Sequence, residues 1–147
     1  MRDLLAAGEW KAADDETADK MLAVIGKESW WDVNTENIEK FPCTDLRTID
    51  RLWVKYSNGR FGFSVQKQIW QSVGGQLGVY DHDIDCAFGD TVGWRVNNRW
   101  LSNRDDLTFS LKSPHAPPGH LPVGGLGVVG FCVDFCYLFS RVETCKM

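Results

Sequence analysis

The strongest constraint on the fold is a helical repeat of apolar residues in the stretch that follows Pro42. Four apolar side chains recur there at intervals of three or four residues, and these are Leu46, Ile49, Trp53 and Tyr56. This spacing places them on one face of an α-helix, which must pack against a core. Thr44 is the predicted N-cap of this helix, and the pair Asn58-Gly59 predicts its end because glycine readily adopts the left-handed conformation.

A second helix is predicted close behind the first, over residues 65–73, with Ser64 as its N-cap. The bend between the two helices carries Arg60, Phe61 and Phe63. Positive charge is concentrated in the same part of the chain: residues 46–80 hold five Lys or Arg and one Asp, whereas the whole chain has a net charge of −4. A cationic rim around exposed aromatic side chains suits a flat, apolar ligand that carries carboxylates.

The overall composition is that of one soluble globular domain. The chain has 147 residues, of which 44% are hydrophobic and 24% charged, so residues 1–147 can bury a core of their own. A pI of about 5.3 argues against nucleic acid or an anionic membrane as the main partner, since both attract basic proteins. Five Cys at no framework spacing favour reduced thiols in an intracellular compartment.

Helical periodicity also occurs towards both ends of the chain. Further helices are predicted over residues 4–7, over residues 10–25, from Asn34 or Thr35 up to Pro42, and over residues 129–143. Gly8 and Gly26 are the predicted ends of the first two. The acidic run over residues 14–16 is interpreted as a solvated helix face.

Residues 76–122 lack a long helical period and are predicted to be irregular. Within them, residues 94–101 are predicted to form a small hairpin around Asn97-Asn98, because asparagine tolerates positive φ. The run over residues 100–122 contains four of the five prolines. It nevertheless keeps three large apolar side chains, Trp100, Phe109 and Leu111. A disordered tail has no use for such side chains, so we predict a long irregular flap loop over a site.

Several short motifs resemble nucleotide- or metal-binding sites but lack residues that such sites require. Residues 125–130 spell a dinucleotide-binding fingerprint, but no strand precedes it and no room remains for the acidic residue that should follow. Three Asp within residues 81–85 imitate a calcium loop that lacks its glycine and its final glutamate. Cys132 and Cys136 are one helical turn apart, but they lie in an apolar run and are predicted to be buried thiols.

The sequence also argues against a membrane span and against an enzyme. Residues 121–139 are largely apolar, but Asp134 and four glycines favour a buried helix there. No nucleophile elbow and no family cysteine signature is present, so no catalytic residue is predicted. His115 and His120 flank a proline-rich turn, where a solvent-exposed loop histidine is favoured over a metal ligand.

Long stretches distributed over nearly the whole chain carry a family resemblance. In chain order they are LLAAGEWKAADDETADKMLAVIGK, FPCTDL, IDRLW, SNGRFGFSVQ, AFGDTVGWR, DLTFSLKSP, PPGHLP and LFSRVETC. Together they resemble the genomes-uncoupled-four family, whose members are porphyrin-binding regulators of magnesium chelatase in oxygenic phototrophs. The resemblance implies a mainly α-helical core shaped like a cupped hand, with a hydrophobic palm roofed by a flexible loop.

The resemblance also implies a function without catalysis. It implies non-covalent binding of protoporphyrin IX and Mg-protoporphyrin IX, and stimulation of magnesium chelatase through its large porphyrin-binding subunit. Some members bind linear bilins, so a bilin- or haem-binding sensory or adaptor domain stays open as the alternative. The implied location is the cytoplasm of a cyanobacterium or the plastid stroma, with at most peripheral attachment to the thylakoid membrane.

A tetrapyrrole is a rigid apolar disc with two propionates on one edge, which suits the residues of the central stretch. Burying about 400 Å² of the disc would contribute about 10 kcal/mol before the costs of association are subtracted. The side chains predicted to contact the disc are Val54, Phe61, Phe63, Trp94 and Trp100. Those predicted to lie near the propionates are Arg51, Arg60 and Arg95.

Overall fold

Helices dominate the structure, a computed structural model that describes residues 1–112, 116–124 and 135–147. The α-helices are α1 (Arg2–Ala7), α2 (Trp10–Ile25), α3 (Thr35–Glu39), α4 (Cys43–Tyr56), α5 (Phe63–Ser72), α6 (His82–Val92) and α7 (Phe135–Thr144). An antiparallel hairpin of β1 (Arg95–Val96) and β2 (Arg99–Trp100) follows α6. Two single-turn 3-10 helices, Trp30–Asp32 and Arg104–Asp106, lie in connecting loops. The predicted mainly α-helical fold is confirmed.

The ends of the first three helices agree with the predictions. Gly8 and Gly26 end α1 and α2 in the left-handed conformation, with φ of 76° and 71°. At the start of α3, the side chain of Asn34 accepts a hydrogen bond from the amide of Asn37, and the side chain of Asn37 accepts one from the amide of Asn34. This reciprocal pair is a capping box, so local chemistry is enough to start α3 here.

The two central helices form as predicted, but their predicted N-caps are wrong. Pro42 is the N-cap of α4, and Thr44 is an exposed residue of its first turn. In the first turn of α5, the amide of Ser64 donates a hydrogen bond of 2.8 Å to Oδ1 of Asp50. A carboxylate from α4 therefore satisfies the start of α5, where the helix dipole favours negative charge.

Helix α6 occupies part of the region that the sequence predicts to be irregular, so that prediction is wrong for its 11 residues. The N-cap is Asp81, whose carboxylate accepts hydrogen bonds from the amides of Asp83 and Ile84. The buried residues of α6 are Asp85, Phe88, Gly89 and Val92. A charged residue and a glycine on the buried face weaken the apolar period, which explains why the sequence pattern misses this helix.

The predicted hairpin is confirmed after α6. Asn97 and Asn98 join its two strands, with φ of 52° and 63°. Both values lie in the left-handed region, as a two-residue type I′ turn requires. Asparagine adopts this conformation at lower cost than most residues, so the turn is encoded locally.

Aromatic side chains form two clusters in the core. In the first cluster, the ring centroids of Trp10, Trp53 and Phe61 lie 5.7–6.4 Å apart. The indole N–H of Trp53 donates to Oγ1 of Thr17 at 3.0 Å, so its donor is satisfied inside the core. The second cluster joins α5, α6 and α7 and contains Trp70, Phe88, Trp94, Phe135 and Phe139. Four of the seven Trp therefore serve packing.

Residues 116–124 form a buried segment, here called the strap, that is tied to α5. The side-chain amide of Gln66 donates to the carbonyls of Gly119 and Pro122, at 3.0 and 2.8 Å. Gln66 itself is buried, so these bonds are made away from solvent. The strap is therefore part of the folded core although it has no regular secondary structure.

The strap corrects the predicted flap over residues 100–122. Ala116, His120 and Leu121 are at most 1% exposed, so this end of the predicted flap is fixed in the core. The glycines and prolines of this segment set the bends of a buried backbone, whereas the sequence pattern predicted a mobile loop. The mobility of the shorter surface loop before it, residues 101–112, stays a prediction.

The C-terminal helix is confirmed as far as the structure describes it. Helix α7 begins at Phe135 and ends at Thr144, while residues 129–134 of the predicted helix lie outside the described residues. Cys136 is buried in α7 as predicted, and Cys132 also lies outside them. Within the described ranges, none of the helices combines the length and the apolarity that a membrane span needs.

Cys43 and Cys145 form a disulfide, so the prediction of reduced thiols is wrong for these two cysteines. The bond connects the first residue of α4 to the residue that follows α7. The two cysteines are 102 residues apart in the sequence, and only the packing of α7 brings them together. Their spacing in the chain therefore carries no signal of the pairing.

A buried carboxyl between α5 and α6 makes stability depend on pH. Asp85 is 2% exposed, and burial raises the pKa of its carboxyl to about 6, while the nearby Trp70 side chain opposes this shift. The folded protein therefore binds a proton at Asp85 more tightly than the unfolded chain. The stability that this proton contributes is fully present below about pH 4 and is lost as the pH rises through about 6.

Replacing Asp85 with Asn is therefore expected to raise the free energy of unfolding by about 2–3 kcal/mol at pH 7. Near pH 4 the variant and the parent should have similar stabilities, because the carboxyl is then largely protonated in the fold. Urea denaturation at both pH values measures the difference. Asp83→Asn, which removes an exposed charge from the same helix, is the matched control. An equal stability difference at both pH values for Asp85→Asn would contradict the prediction.

Candidate functional site

Three of the aromatic side chains predicted to contact a ligand lie in the core. Phe61, Phe63 and Trp94 are at most 1% exposed. The indole N–H of Trp94 donates to the carbonyl of His120 on the strap at 2.8 Å. A ligand can reach these three rings only where the core opens, so their contact with a ligand stays a prediction.

The three arginines predicted to bind propionates have three different environments. Arg60 is half-buried and donates through Nε and Nη2 to the carbonyl of Ala116, at 3.0 and 2.6 Å. Arg95 binds both carboxylate oxygens of Asp90 at 3.0 Å. Arg51 is exposed on α4. The first two guanidinium groups therefore have acceptors within the fold, and Arg51 faces solvent.

Val54 and Trp100 are half-buried and keep part of their surface in contact with solvent. The ring of Trp100 packs on that of Phe135 at a centroid distance of 6.4 Å. It also lies directly on Gly89, where an added Cβ atom would be only 2.5 Å from the ring. The absence of a side chain at Gly89 therefore allows the ring of Trp100 to contact α6 closely.

Several of the predicted residues converge on the strap. Arg60 and Trp94 bind its carbonyls, and the amide of Gly62 donates to the carbonyl of Leu121 at 3.0 Å. Their shared neighbour is thus a stretch of buried backbone. Arg60 and Trp94 are predicted to bind a ligand, and in the structure they hold the strap in place.

The strap histidine is buried, so the prediction of an exposed loop histidine is wrong for His120. Its Nε2 accepts a hydrogen bond from the amide of Thr108 at 3.1 Å, which assigns the proton to Nδ1. Nδ1 then donates to the carbonyl of Val92 at 2.7 Å. Burial lowers the pKa of this imidazole, and both ring nitrogens are used by the backbone. His115 lies outside the described residues.

A surface next to α2 brings a loop arginine together with carboxylates and an aromatic ring. Arg104 contacts Asp14 Oδ2 at 2.7 Å and Asp15 Oδ1 at 2.6 Å through Nη2. Its guanidinium lies 5.4 Å from the ring centroid of Phe109. We call this group, with Gly124 of the strap, the α2 junction. Lys11 strengthens the attachment of the same loop through an ion pair with Asp105 at 2.8 Å.

Asp14 is the buried centre of the α2 junction, which corrects its assignment to a solvated face. Its side chain is fully buried, and Oδ1 accepts hydrogen bonds from the amides of Val123 and Gly124 at 2.8 and 3.1 Å. Burial raises the pKa of the Asp14 carboxyl, while Arg104 and the two amides act in the opposite direction. One carboxylate therefore joins α2, the strap and the surface loop.

The α2 junction places a partly exposed arginine side chain beside an aromatic ring. The guanidinium of Arg104 is partly exposed and shares its charge between a buried partner and the exposed Asp15. The Nη2 atom of Arg104, which contacts both carboxylates, is itself buried, so Asp14 and Asp15 hold this side of the guanidinium. Sequence reasoning missed Arg104 because it is an ordinary loop residue. The only available signal was its position close to Phe109 in the apolar loop.

Several large aromatic side chains outside the α-helices remain at the surface. Trp31 is 76% exposed, while Trp30, Trp100 and Phe109 are half-buried. By contrast, the aromatic residues of the helices are mostly in the core.

The fold defines a class: a small, mainly α-helical protein with several aromatic side chains at its surface. Across the described residues, no group of three or more His, Cys, Asp or Glu is placed to hold a metal ion. The family is equally clear. A family model described as GUN4-like matches residues 1–130, and the chain belongs to this family. The resemblance found in the sequence is thereby confirmed.

Solved structures share the fold. The chain aligns with the ligand-free structure of Arabidopsis thaliana GUN4 with a TM-score of 0.73 and 24% identity, covering 99% of this chain and 94% of that one. It aligns with the structure of GUN4 from Chlamydomonas reinhardtii with a TM-score of 0.69 and 28% identity, covering 92% and 82%. The helical architecture is thus that of the family.

Curated relatives are longer than this chain. A Ycf53-like protein of Synechocystis is 34% identical over 126 residues, which are 84% of this chain and 49% of the relative. A protein of Arabidopsis thaliana named "Tetrapyrrole-binding protein, chloroplastic" is 36% identical over 119 residues, which are 78% and 43%. The chain therefore spans about half the length of the curated relatives it matches.

Proposed function

We propose that this chain binds tetrapyrroles without catalysing a reaction on them. The ligands are protoporphyrin IX and Mg-protoporphyrin IX. With its ligand bound, the protein stimulates magnesium chelatase by acting on the large porphyrin-binding subunit of that enzyme. Membership of the GUN4-like family supports this proposal, as does the name of the Arabidopsis relative. The cyanobacterial and chloroplast sources of relatives support a location in the cytoplasm of a cyanobacterium or in the plastid stroma.

The observation that carries the proposal is the arrangement at the α2 junction. Phe109 offers an apolar face, and Arg104 beside it is a cation that can pair with a propionate. A tetrapyrrole combines these two requirements, because its flat apolar disc has carboxylates at one edge. The arginine fork matches a carboxylate geometrically, and the aromatic face can stack on the macrocycle.

The eight positions predicted from the sequence remain part of the proposal in two groups. Five of them keep some solvent contact and can meet a ligand directly, namely Arg51, Val54, Arg60, Arg95 and Trp100. The other three, Phe61, Phe63 and Trp94, support the surface from inside the core unless binding opens it. Phe109 is the more direct test, since its ring is accessible without any rearrangement.

Replacing Phe109 with Ala is expected to weaken Mg-protoporphyrin IX binding about tenfold, because one stacked aromatic ring is removed. Quenching of Trp fluorescence during titration with Mg-protoporphyrin IX measures the affinity. Val96→Ala, which truncates an exposed apolar residue on the hairpin, is the matched control. Equal affinities for the parent and the Phe109 variant would remove Phe109 from the site.

The same titration with haem and biliverdin tests the ligand class. Preference for either ligand over both porphyrins would replace the proposed function by a sensory or adaptor role. Absence of quenching by every tetrapyrrole would overturn ligand binding itself. Chelatase assays with and without the protein test the partner separately, and stimulation should fall in parallel with porphyrin affinity in the Phe109 variant.

A further inference from the structure

A small pocket between α4 and the turn after α7 is lined by three cationic side chains. Two arginines one helical turn apart, Arg47 and Arg51, line it from α4, and Lys146 lines it from the turn after α7. Asp50 and Met147 complete the wall, and the volume is about 80 Å³. None of the residues that line this pocket belongs to the α2 junction.

The one acidic side chain in the wall of this pocket, Asp50, interacts electrostatically with Arg51. Among the described residues, neither Arg51 nor Lys146 forms an ion pair. Asp50, the acidic residue in the wall, is buried and accepts a hydrogen bond from the amide of Ser64. Arg47 uses Nε to bind the carbonyl of Cys145 at 2.8 Å, which leaves its terminal nitrogens available. Like charges that converge in this way repel one another unless an anion joins them.

The wall that carries Lys146 is held in a defined position. The disulfide between Cys43 and Cys145 attaches the turn to α4, next to Arg47. Lys67 is buried, forms an ion pair with Glu143 and donates to the carbonyl of Met147 at 3.3 Å. Because both sides of the pocket are anchored, its cations need little ordering when an anion binds.

We infer that this pocket binds one oxyanion of the size of a phosphate group. Guanidinium groups match the oxygens of phosphate and carboxylate, and the three cationic side chains that line the pocket outnumber its one acidic side chain, Asp50. The volume is far below the roughly 300–1,000 Å³ of ordinary ligand pockets, so a macrocycle does not fit. The site does not depend on the α2 junction, although Arg51 is also one of the eight positions predicted to bind the tetrapyrrole.

Titration of the isotope-labelled protein with inorganic phosphate, at constant ionic strength, tests this site. The amide resonances of Arg51 and Lys146 are expected to shift with a saturable dependence on phosphate. Arg51→Gln and Lys146→Gln should each weaken binding about tenfold, since each removes a charge-assisted hydrogen bond. Lys55→Gln, which removes an exposed cation of the same helix outside the pocket, should leave the affinity unchanged.

Two further arms identify the source of the oxyanion. Glycerol phosphate binding as tightly as inorganic phosphate indicates a phosphate group carried by a larger molecule, and weaker binding indicates the free ion. Acetate should bind more weakly than either. Equal shifts with chloride, or equal affinities in the parent and both pocket variants, would overturn the site. Porphyrin affinity should be unaffected by Lys146→Gln, so failure here leaves the proposed function standing.

Discussion

Replacing Asp14 with Ala is expected to lower the free energy of unfolding by about 3–5 kcal/mol. The substitution leaves the buried amides of Val123 and Gly124 without their acceptor, and each such loss costs about 1–3 kcal/mol. It also removes the buried partner of Arg104. Urea denaturation at neutral pH measures the loss, and the strap should become the first region to exchange its amide hydrogens.

Two neighbouring substitutions make this prediction specific. Asp15→Ala removes the exposed carboxylate that binds the same arginine, and it should cost at most about 1 kcal/mol. Asp14→Asn keeps an oxygen that can accept from the two strap amides, so its cost should lie between those of the alanine variants. If Asp14→Ala were no more costly than Asp15→Ala, Asp14 would not be the anchor of the strap.

Removing the disulfide by the double substitution of Cys43 and Cys145 with Ala is expected to destabilise the fold by about 4 kcal/mol. The bond closes a loop of about a hundred residues, so it restricts the unfolded chain strongly. Thermal and urea unfolding, with and without reductant, measure the effect. Reductant should destabilise the parent and leave the double variant unchanged.

Counting thiols provides a direct check of the same bond. Unfolded parent protein should expose two more reactive thiols after reduction than before it, because Cys43 and Cys145 are paired. Cys86→Ala, which removes a cysteine outside the disulfide, should keep the response to reductant. A parent whose stability and thiol count ignore reductant would contradict the pairing. Loss of the bond should also weaken phosphate binding, since Lys146 follows Cys145.

The positions of most helices could be predicted because their signals are local. Helix α4 has an apolar residue at every third or fourth position, and α3 begins with a capping box between Asn34 and Asn37. The hairpin turn depends on Asn97 and Asn98 alone. In each case, the residues that determine the structure are within a few positions of one another, so a short sequence window contains all of them.

Helix α6 shows where local reasoning stops. Its buried face includes Asp85 and Gly89, which reduce both apolarity and helix propensity. The helix is stable because Phe88 packs against rings from α7 and because Gly89 accommodates the ring of Trp100. These contacts come from other parts of the chain, and helices in proteins owe most of their stability to such packing.

The candidate site depended on tertiary structure even more strongly. The sequence marks arginines and aromatic residues as suitable for a tetrapyrrole, but it cannot show which of them the fold uses internally. Arg60 binds a carbonyl 56 positions away, and Phe61 and Trp94 are buried in different ring clusters. Arg104 became a candidate site residue only in the structure, where α2 places two carboxylates beside it.

The sequence by itself determined the family, the helical class and the positions of the strongest helices. Long stretches of the chain resemble the family in the same order, and the apolar periodicity of a helix involves only residues that are close in the sequence. Tertiary structure alone decided that Asp14 is buried, that Cys43 meets Cys145, and that the strap belongs to the core. These outcomes join residues about a hundred positions apart. The free energy of such contacts depends on which surfaces the packed helices bring together, and no local pattern records that.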